Sequence, residues 1–235
     1  GGAKLVKVVL GGATRPLPCD AILVATGRRP NVEGLGLEAA GVDFDAATGV
    51  KVDDFLRTSN RRVYASGDVC LDWKFTHAAD AASRLVVQNA LFLGRKRASS
   101  LVIPWCTYTD PEVAHVGLTP EALSAAGVAH QVFDLPFTGV DRAILEGETE
   151  GFLQVTASPK GRVLGATMVS RHAGESIGQL TMAVRKGLSM ADLSATIQPY
   201  PVRADAIRRA GDAWSRTRLT PFTKSLLKGL LRFTA

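Results

Sequence analysis

The chain has 235 residues, of which 46% are hydrophobic and 21% are charged, and its net charge at pH 7 is +6. This composition is typical of a soluble globular protein and excludes the disordered and fibrous classes. The residues from Arg203 onward hold eight lysines or arginines against two aspartates, which accounts for the whole net charge. Basicity confined to one end argues against nucleic-acid binding, which needs basic residues on several elements.

Targeting, membrane and cysteine signals are weak in this sequence. No stretch approaches the roughly 18 to 20 apolar residues of a membrane span, and the first residues lack the layout of a signal peptide, so we expect a cytoplasmic protein. The cysteines Cys19, Cys70 and Cys106 are widely spaced, without a Cys-x-x-Cys pair. They predict neither a disulfide framework nor a structural zinc site and are best interpreted as ordinary small apolar residues.

Two short strands are predicted near the beginning of the chain, at residues 6–10 and 21–25. The second is an unbroken apolar run, Ala-Ile-Leu-Val-Ala, of the kind that is buried on both faces of a parallel sheet. Such a strand needs parallel neighbours on both sides, which the preceding twenty residues cannot supply. We therefore expect the chain to open inside a domain, with a further segment upstream.

The middle of the chain predicts strands at residues 50–53 and 62–68, the second ending in a Gly-Asp corner. A helix follows, with Thr76 as its N-cap, several alanines on its surface and Gly94 as its stop. An alanine-rich helix face permits close approach by another backbone or a flat ligand. Residues 95–100 are polar and basic and resemble a linker.

From about residue 103 the pattern changes to antiparallel strands interleaved with helices. Strands are predicted at 113–116, 152–156 and 163–169, and helices after Thr119 and at 175–186, 191–195 and 204–215. The turn between the last two strands, Ser-Pro-Lys-Gly, is a hairpin signal. Together these elements predict an α+β domain of roughly a hundred residues.

Several motifs in this order resemble one known family. They are Ala-Thr-Gly-Arg-Arg-Pro-Asn at 25–31, Ala-Ser-Gly-Asp at 65–68, Thr-His-Ala at 76–78, and Asp-Pro-Glu-Val-Ala-x-Val-Gly-Leu-Thr at 110–119. Their order and spacing resemble the carboxyl-terminal part of flavoprotein disulfide reductases, the family of lipoamide dehydrogenase, glutathione reductase and mercuric reductase. The resemblance covers nearly the whole chain.

The resemblance implies a domain organisation and a set of ligands. Residues 1–26 would end an NAD(P)-binding domain, 27–100 would be the carboxyl-terminal part of an α/β FAD-binding domain, and 103–235 would be an α+β dimerisation domain, an antiparallel sheet with helices. It also implies FAD and NAD(P)H as cofactors of the full-length protein, a homodimer, and a small-molecule or metal-ion substrate.

The candidate FAD-binding residues are Gly67, Asp68, Thr76, His77 and Ala78. Glycine at a strand end lets the backbone approach a bulky ligand, and the Asp68 carboxylate can accept hydrogen bonds from polyol hydroxyls. By resemblance, the start of the following helix would lie at the pyrimidine side of the flavin, where a helix amino terminus stabilises negative charge. Two alternatives stay open: Asp68 as a turn cap, and His77 as a catalytic base in place of a backbone role.

Tyr200 and Asp205 are candidate catalytic residues by resemblance alone. Lipoamide dehydrogenase-like enzymes carry a histidine and a supporting glutamate in this segment, whereas this chain has Tyr200 and Asp205. A phenol with a pKa near 10 is a poor general base at neutral pH, which argues against dithiol chemistry. Mercuric reductase-like members also place tyrosine in this vicinity. The alternative is a structural tyrosine at a proline-flanked turn, where the family suggests a cis bond to Pro201.

Much of the family's machinery is missing from this sequence. It has no Gly-x-Gly-x-x-Gly after a strand, no Cys-x-x-x-x-Cys redox pair and no nicotinamide-binding glycine fingerprint. We therefore expect the carboxyl-terminal portion of an FAD-dependent NAD(P)H oxidoreductase, inactive by itself. The competing hypothesis is a stand-alone dimerisation or binding module without catalytic activity.

The last segment, residues 219–233, places apolar residues at helical spacing with basic residues on another face. This pattern predicts an amphipathic basic helix. Packing on its own domain or across a dimer interface is the simpler interpretation, with membrane-surface association as the alternative.

Overall fold

The computed structural model describes residues 4–234, with side chains through residue 229. An antiparallel hairpin comes first: β1 (Lys4–Leu10) pairs with β2 (Ala13–Cys19) across a Gly-Gly turn. β1 confirms the first predicted strand. β2 was not predicted because Pro16 and Pro18 interrupt its pattern, and proline is confined to sheet edges, a position that a two-stranded hairpin provides.

The predicted strand at residues 21–25 is wrong. The segment forms no strand, and its central Leu23 is 92% exposed. A strand of this kind needs parallel partners, and the paired strands within residues 4–234 are all antiparallel. Without a partner, the apolar run stays exposed to solvent.

Residues 27–100 fold around two small apolar cores. β3 (Phe44–Asp45) and β4 (Gly49–Val50) form a short antiparallel pair, and α1 (Thr76–Leu91) is the one long helix described in this range. The first core lies under the β3–β4 pair and the second lies under α1. Their buried residues are Val32, Val42 and Val50 in the first, and Leu56, Ala82 and Leu85 in the second.

The local predictions in this segment need three corrections. β4 ends at Val50, before most of the predicted strand at 50–53. Residues 62–68 form no strand. Tyr64 makes a single isolated bridge with Arg57, and a short 3-10 turn follows at Gly67–Val69. Thr76 is the first helical residue, and Phe75 occupies the N-cap without a side-chain hydrogen bond.

A five-stranded antiparallel sheet organises the chain from residue 103 onward. The strands are β5 (Trp105–Thr107), β6 (Glu112–Gly117), β7 (Gln131–Pro136), β8 (Phe152–Ala157) and β9 (Val163–Ser170). Their order in the sheet is β5-β6-β9-β8-β7. The predicted strands are confirmed, each end within two residues, whereas β5 and β7 were not predicted.

Six helices accompany this sheet in the described chain. They are α2 (Pro120–Ala125), α3 (Asp141–Glu146), α4 (Ala173–Lys186), α5 (Met190–Ala195), α6 (Asp205–Thr217) and α7 (Pro221–Thr234). All the predicted helices form, and α3 is an addition. Thr119 caps α2 as predicted, since its hydroxyl accepts a hydrogen bond from the Ala122 amide. Within residues 4–234, no helix is both long and apolar enough to span a membrane.

One apolar core joins the sheet to its helices. Alternate residues of β6, β8 and β9 point to one side, where α4, α5 and α6 place their own buried residues. The strand residues in this core include Ala114, Val116, Leu153, Val155, Ala166 and Met168, and the helix residues include Ile177, Leu180, Ala183, Met190, Ile207 and Ala210. The predicted antiparallel sheet with helices is thus confirmed.

A glycine in the middle of α6 provides the first test of this packing. Gly211 lies so close to α5 that an added β-carbon would collide with the Met190 carbonyl oxygen and the Ser194 backbone. We expect Gly211→Ala to lower the free energy of unfolding by about 1–3 kcal/mol, because overpacking displaces backbone. Denaturant unfolding followed by circular dichroism measures the change.

Gly178 supplies the matched control, because it lies in the middle of α4 with open space around its α-carbon. Gly178→Ala should raise stability by about 0.5–1 kcal/mol through helix propensity alone. Equal effects of the two substitutions would contradict a close α5–α6 contact.

Candidate functional site

The Gly-Asp corner lies directly beside the first turn of α1. Gly67 is buried with φ of +79°, and an added β-carbon would lie 3.0 Å from the Ala79 β-carbon. A larger residue would therefore be strained by the backbone conformation and tight against Ala79. The result is that Asp68 and the amino end of α1 are held next to each other.

Asp68 is a partly exposed carboxylate with two basic neighbours. Arg28 Nε donates a 3.0 Å hydrogen bond to Asp68 Oδ2, and Lys74 Nζ donates a 3.0 Å hydrogen bond to the Asp68 carbonyl oxygen. Both partners of the Arg28–Asp68 pair are accessible, and exposed pairs of this kind stabilise little. The carboxylate can therefore exchange this partner for a ligand at small cost.

Two segments forty residues apart meet at this corner. Pro30 and Val32 are buried after the Gly-Arg-Arg turn, and Gly49 lies against both Pro30 and the Val69 carbonyl. A β-carbon at Gly49 would overlap that carbonyl oxygen. The first small core thus brings the Arg28 turn and the Asp68 corner to the same edge.

The amino end of α1 presents backbone amides that the helix does not use. The first bond of the ladder runs from the Ala79 amide to the Phe75 carbonyl, 3.0 Å away, so the amides of Thr76, His77 and Ala78 precede it. No acidic side chain occupies the first turn. The free amides and the helix dipole together favour a negatively charged or electron-rich ligand at this end.

The His77 side chain has a structural partner. Its Nε2 lies 2.7 Å from the Pro104 carbonyl oxygen, so this nitrogen must carry a proton and donate. The ring also stacks on Phe75, with centroids 5.3 Å apart. His77 therefore ties the start of α1 to the segment that enters the sheet domain, and only Nδ1 remains available as an acceptor.

Cys70 follows the corner but is poorly suited to redox chemistry. Burial raises the pKa of its thiol to about 11, so the thiol stays protonated at neutral pH. All three cysteines are free. Among the described residues, no group of three or more histidine, cysteine, aspartate or glutamate side chains is arranged to hold a metal ion.

Tyr200 and Asp205 interact with different residues. Asp205 accepts a 2.9 Å hydrogen bond from Arg208 and another from Arg209. Burial alone would raise the pKa of Asp205, but these hydrogen bonds outweigh it and lower the pKa. Tyr200 is 76% exposed and interacts with Asp141. Hydrogen bonding to that carboxylate raises the pKa of Tyr200, which keeps the phenol protonated.

A buried arginine fixes the segment that carries Tyr200. The peptide bond between Tyr200 and Pro201 is cis, and Arg203 follows with its side chain only 5% exposed. Arg203 Nε donates a 3.0 Å hydrogen bond to the Glu146 carboxylate, and Arg203 Nη2 donates a 2.9 Å hydrogen bond to the Glu148 carboxylate. These contacts join the Tyr200 segment to the end of α3.

The sequence predicted only some of the residues at these two sites. Arg28 and Arg203 both lie in segments that the motifs single out, yet neither was predicted as a site residue. Their partners lie 40 and 57 residues away, and no helical or strand periodicity connects such pairs. Asp141 lies on α3, which the pattern did not predict.

Family models match most of the chain. The model described as the pyridine nucleotide-disulphide oxidoreductase dimerisation domain matches residues 103–210, and the one described as pyridine nucleotide-disulphide oxidoreductase matches residues 1–83. The chain belongs to the pyridine nucleotide-disulphide oxidoreductase family. The resemblance inferred from the motifs is thereby confirmed, including its dimerisation domain.

Relatives and solved structures in this family are considerably longer. The mercuric reductase of Lysinibacillus sphaericus is 37% identical over 211 residues, which cover 89% of this chain and 39% of that protein. The dihydrolipoyl dehydrogenase of Thermus scotoductus is 36% identical over 210 residues, or 89% of this chain and 45% of that protein. The chain spans less than half the length of these relatives.

A solved structure shares the fold. The HOCl-induced flavoprotein disulfide reductase RclA from Escherichia coli superposes with a TM-score of 0.79 at 28% identity, covering 88% of this chain and 48% of that one. The family's architecture therefore extends across both the corner with α1 and the five-stranded sheet.

The Arg203 contacts predict a specific dependence of stability on pH. Hydrogen bonding from Arg203, opposed in part by burial, lowers the pKa of Glu146 below its ordinary value of 4.5. A lowered folded-state pKa stabilises the fold above about pH 4.5, and this contribution is lost as the pH falls through the folded value. We expect Arg203→Met to be less stable at neutral pH and to lose less stability on acidification.

Urea unfolding at a series of pH values below neutrality measures this difference. Arg84→Met is the control, because the Arg84–Asp80 pair is exposed on both sides and should matter little. Parallel pH profiles for wild type and Arg203→Met would contradict the assigned role of Arg203.

Proposed function

We propose that residues 27–100 contribute part of an FAD site, and residues 103–210 the homodimer interface, of an FAD-dependent NAD(P)H oxidoreductase. The observation that supports this proposal most is the contact between Gly67 and Ala79, which holds the Gly-Asp corner against the first turns of α1. Membership of the family supports the same assignment. A cytoplasmic location remains part of this proposal, on sequence grounds.

The corner fits the hydroxyl and phosphate end of a flavin nucleotide. Asp68 can accept hydrogen bonds from polyol hydroxyls, and Arg28 and Lys74 place positive charge nearby. The amides of Thr76, His77 and Ala78 can donate to an electron-rich ring edge. When bound, FAD would supply the redox chemistry, and these residues would hold and orient it.

The described residues offer no comparable support for a nicotinamide site. The described residues of the 1–26 range form the β1–β2 hairpin and an exposed segment without regular secondary structure, and the sequence holds no nicotinamide glycine fingerprint. NAD(P)H thus enters the proposal only through the family, and no contact to it is assigned to a residue of this chain.

Tyr200 is proposed to face the substrate, a small molecule or a metal ion. Its phenol is exposed, its pKa is raised beside Asp141, and Arg203 fixes the segment on which it lies. A neutral phenol with a raised pKa can donate a hydrogen bond, but it is a weaker acid than free tyrosine and a poor general base at neutral pH. Asp205 would act on this segment through Arg208 and Arg209 and not by contact with Tyr200.

The first test of the FAD proposal uses Asp68→Asn. Loss of one hydrogen bond to a charged group should weaken FAD binding by about tenfold or more. The measurement is the ratio of FAD to protein after purification, followed by titration with flavin fluorescence and visible absorption. Asp80→Asn removes a more exposed carboxylate from α1, away from the corner, and should bind FAD like wild type.

Unchanged FAD retention in Asp68→Asn would contradict the assigned corner. Arg28→Gln separates binding from stability, because it removes the exposed ion pair while leaving the carboxylate in place. A dimerisation module without a flavin role predicts no difference among these variants.

The homodimer proposal has its own test. Light scattering at micromolar concentration should give twice the 24.9 kDa mass of the chain. The expectation follows from the dimerisation-domain match over residues 103–210. A strict monomer under these conditions would contradict it.

A further inference from the structure

The last 23 residues, which end in α7, are the most basic part of the chain. After Asp212 the sequence contains Arg216, Arg218, Lys224, Lys228 and Arg232 and no aspartate or glutamate. Five of the six net positive charges of the protein therefore fall within its last 23 residues. This segment is attracted to any surface of opposite charge.

The apolar side chains of this helix are not covered by the described chain. Phe222 is 77% exposed, Leu226 is 55% exposed and Leu227 is 44% exposed. On the preceding α6, by contrast, Ile207 and Trp214 are buried in the core. The expected packing of α7 on its own domain is therefore not observed for the side chains through residue 229. The core side of the sheet is already occupied by α4, α5 and α6.

Phe222 and Leu226 lie on the opposite side of α7 from Lys224 and Lys228, whereas Leu227 falls between the two sides. At 100° per residue, Phe222 and Leu226 fall close to one line along the helix. Lys224 and Lys228 are four residues apart and fall on the reverse side. An exposed apolar stripe backed by lysines, without a single acidic residue, is typical of helices that lie in a membrane interface.

A second copy of the chain is the less suitable occupant of this stripe. The dimerisation-domain match ends at residue 210, before α7 begins at Pro221, so the family's interface does not require this helix. Pairing two such helices would also bring six cations together with no acidic partner from either helix. Anionic lipid headgroups supply the missing opposite charge, and the acyl boundary takes up the apolar stripe.

We propose that α7 docks the protein on anionic membrane surfaces. The helix has 14 residues, so at 1.5 Å per residue it is too short to cross a hydrocarbon core of about 30 Å. It lies in the plane of the surface with Phe222 and Leu226 inserted and Lys224 and Lys228 facing headgroups and water. The attachment is reversible and depends on salt, because screening weakens its electrostatic part.

Vesicle co-sedimentation of the intact chain tests this proposal. The chain should sediment with mixed phosphatidylcholine and phosphatidylserine vesicles, and much less with vesicles of phosphatidylcholine alone. Lys224→Gln combined with Lys228→Gln should weaken binding roughly fivefold per cation at low salt. Phe222→Ser combined with Leu226→Ser should abolish it. Lys7→Gln with Lys51→Gln removes the same charge from exposed positions elsewhere and should bind like wild type.

Three results would overturn the proposal. One is equal sedimentation with both kinds of vesicle, and another is wild-type binding by the Lys224 and Lys228 variant. The third is a wild-type chain that does not bind vesicles, together with a Phe222 and Leu226 variant whose molar mass by light scattering differs from that of wild type. That last outcome would place α7 in a contact between copies of the chain. Circular dichroism of each variant confirms that the fold is retained.

Discussion

The close approach of Gly67 to Ala79 is the constraint on which the proposed flavin corner depends. A buried glycine at positive φ turns the backbone directly into the side of α1, where an added β-carbon would be strained by the backbone conformation and tight against Ala79. That contact brings a carboxylate, two basic side chains and the unused amides of a helix to one edge. Gly49 makes a second close backbone contact, with the Val69 carbonyl, and it also lies against Pro30, which follows the Arg28 turn.

The two parts of the chain are stabilised in different ways. Residues from 103 onward share one continuous core between a five-stranded sheet and its helices, which is sufficient for cooperative folding. Residues 27–100 have two small cores of three buried apolar residues each, and many of their hydrogen bonds run between side chain and backbone in loops. A ligand that binds these loops stabilises them by mass action, which suits a segment that would hold a cofactor.

The sequence predicted the helices and most sheet strands because caps, glycine stops and alternation are local signals. Thr119 before α2 and the turn between β8 and β9 are examples. The run at 21–25 predicts a strand that does not form, because apolar character indicates burial without specifying the neighbour that would provide it. The order of the motifs predicts site residues such as Asp68. It does not predict that Arg28 contacts Asp68 or that Arg203 contacts Glu146, because these pairs are 40 and 57 residues apart and meet only through tertiary structure.

Hydrogen–deuterium exchange with and without bound FAD tests the proposed flavin corner directly. We expect slower exchange for the amides of residues 65–80, which include the Gly-Asp corner and the first turn of α1, while the strands β6, β8 and β9 exchange at the same rate in both states. Protection confined to other segments, with residues 65–80 unchanged while the flavin is bound, would contradict the account.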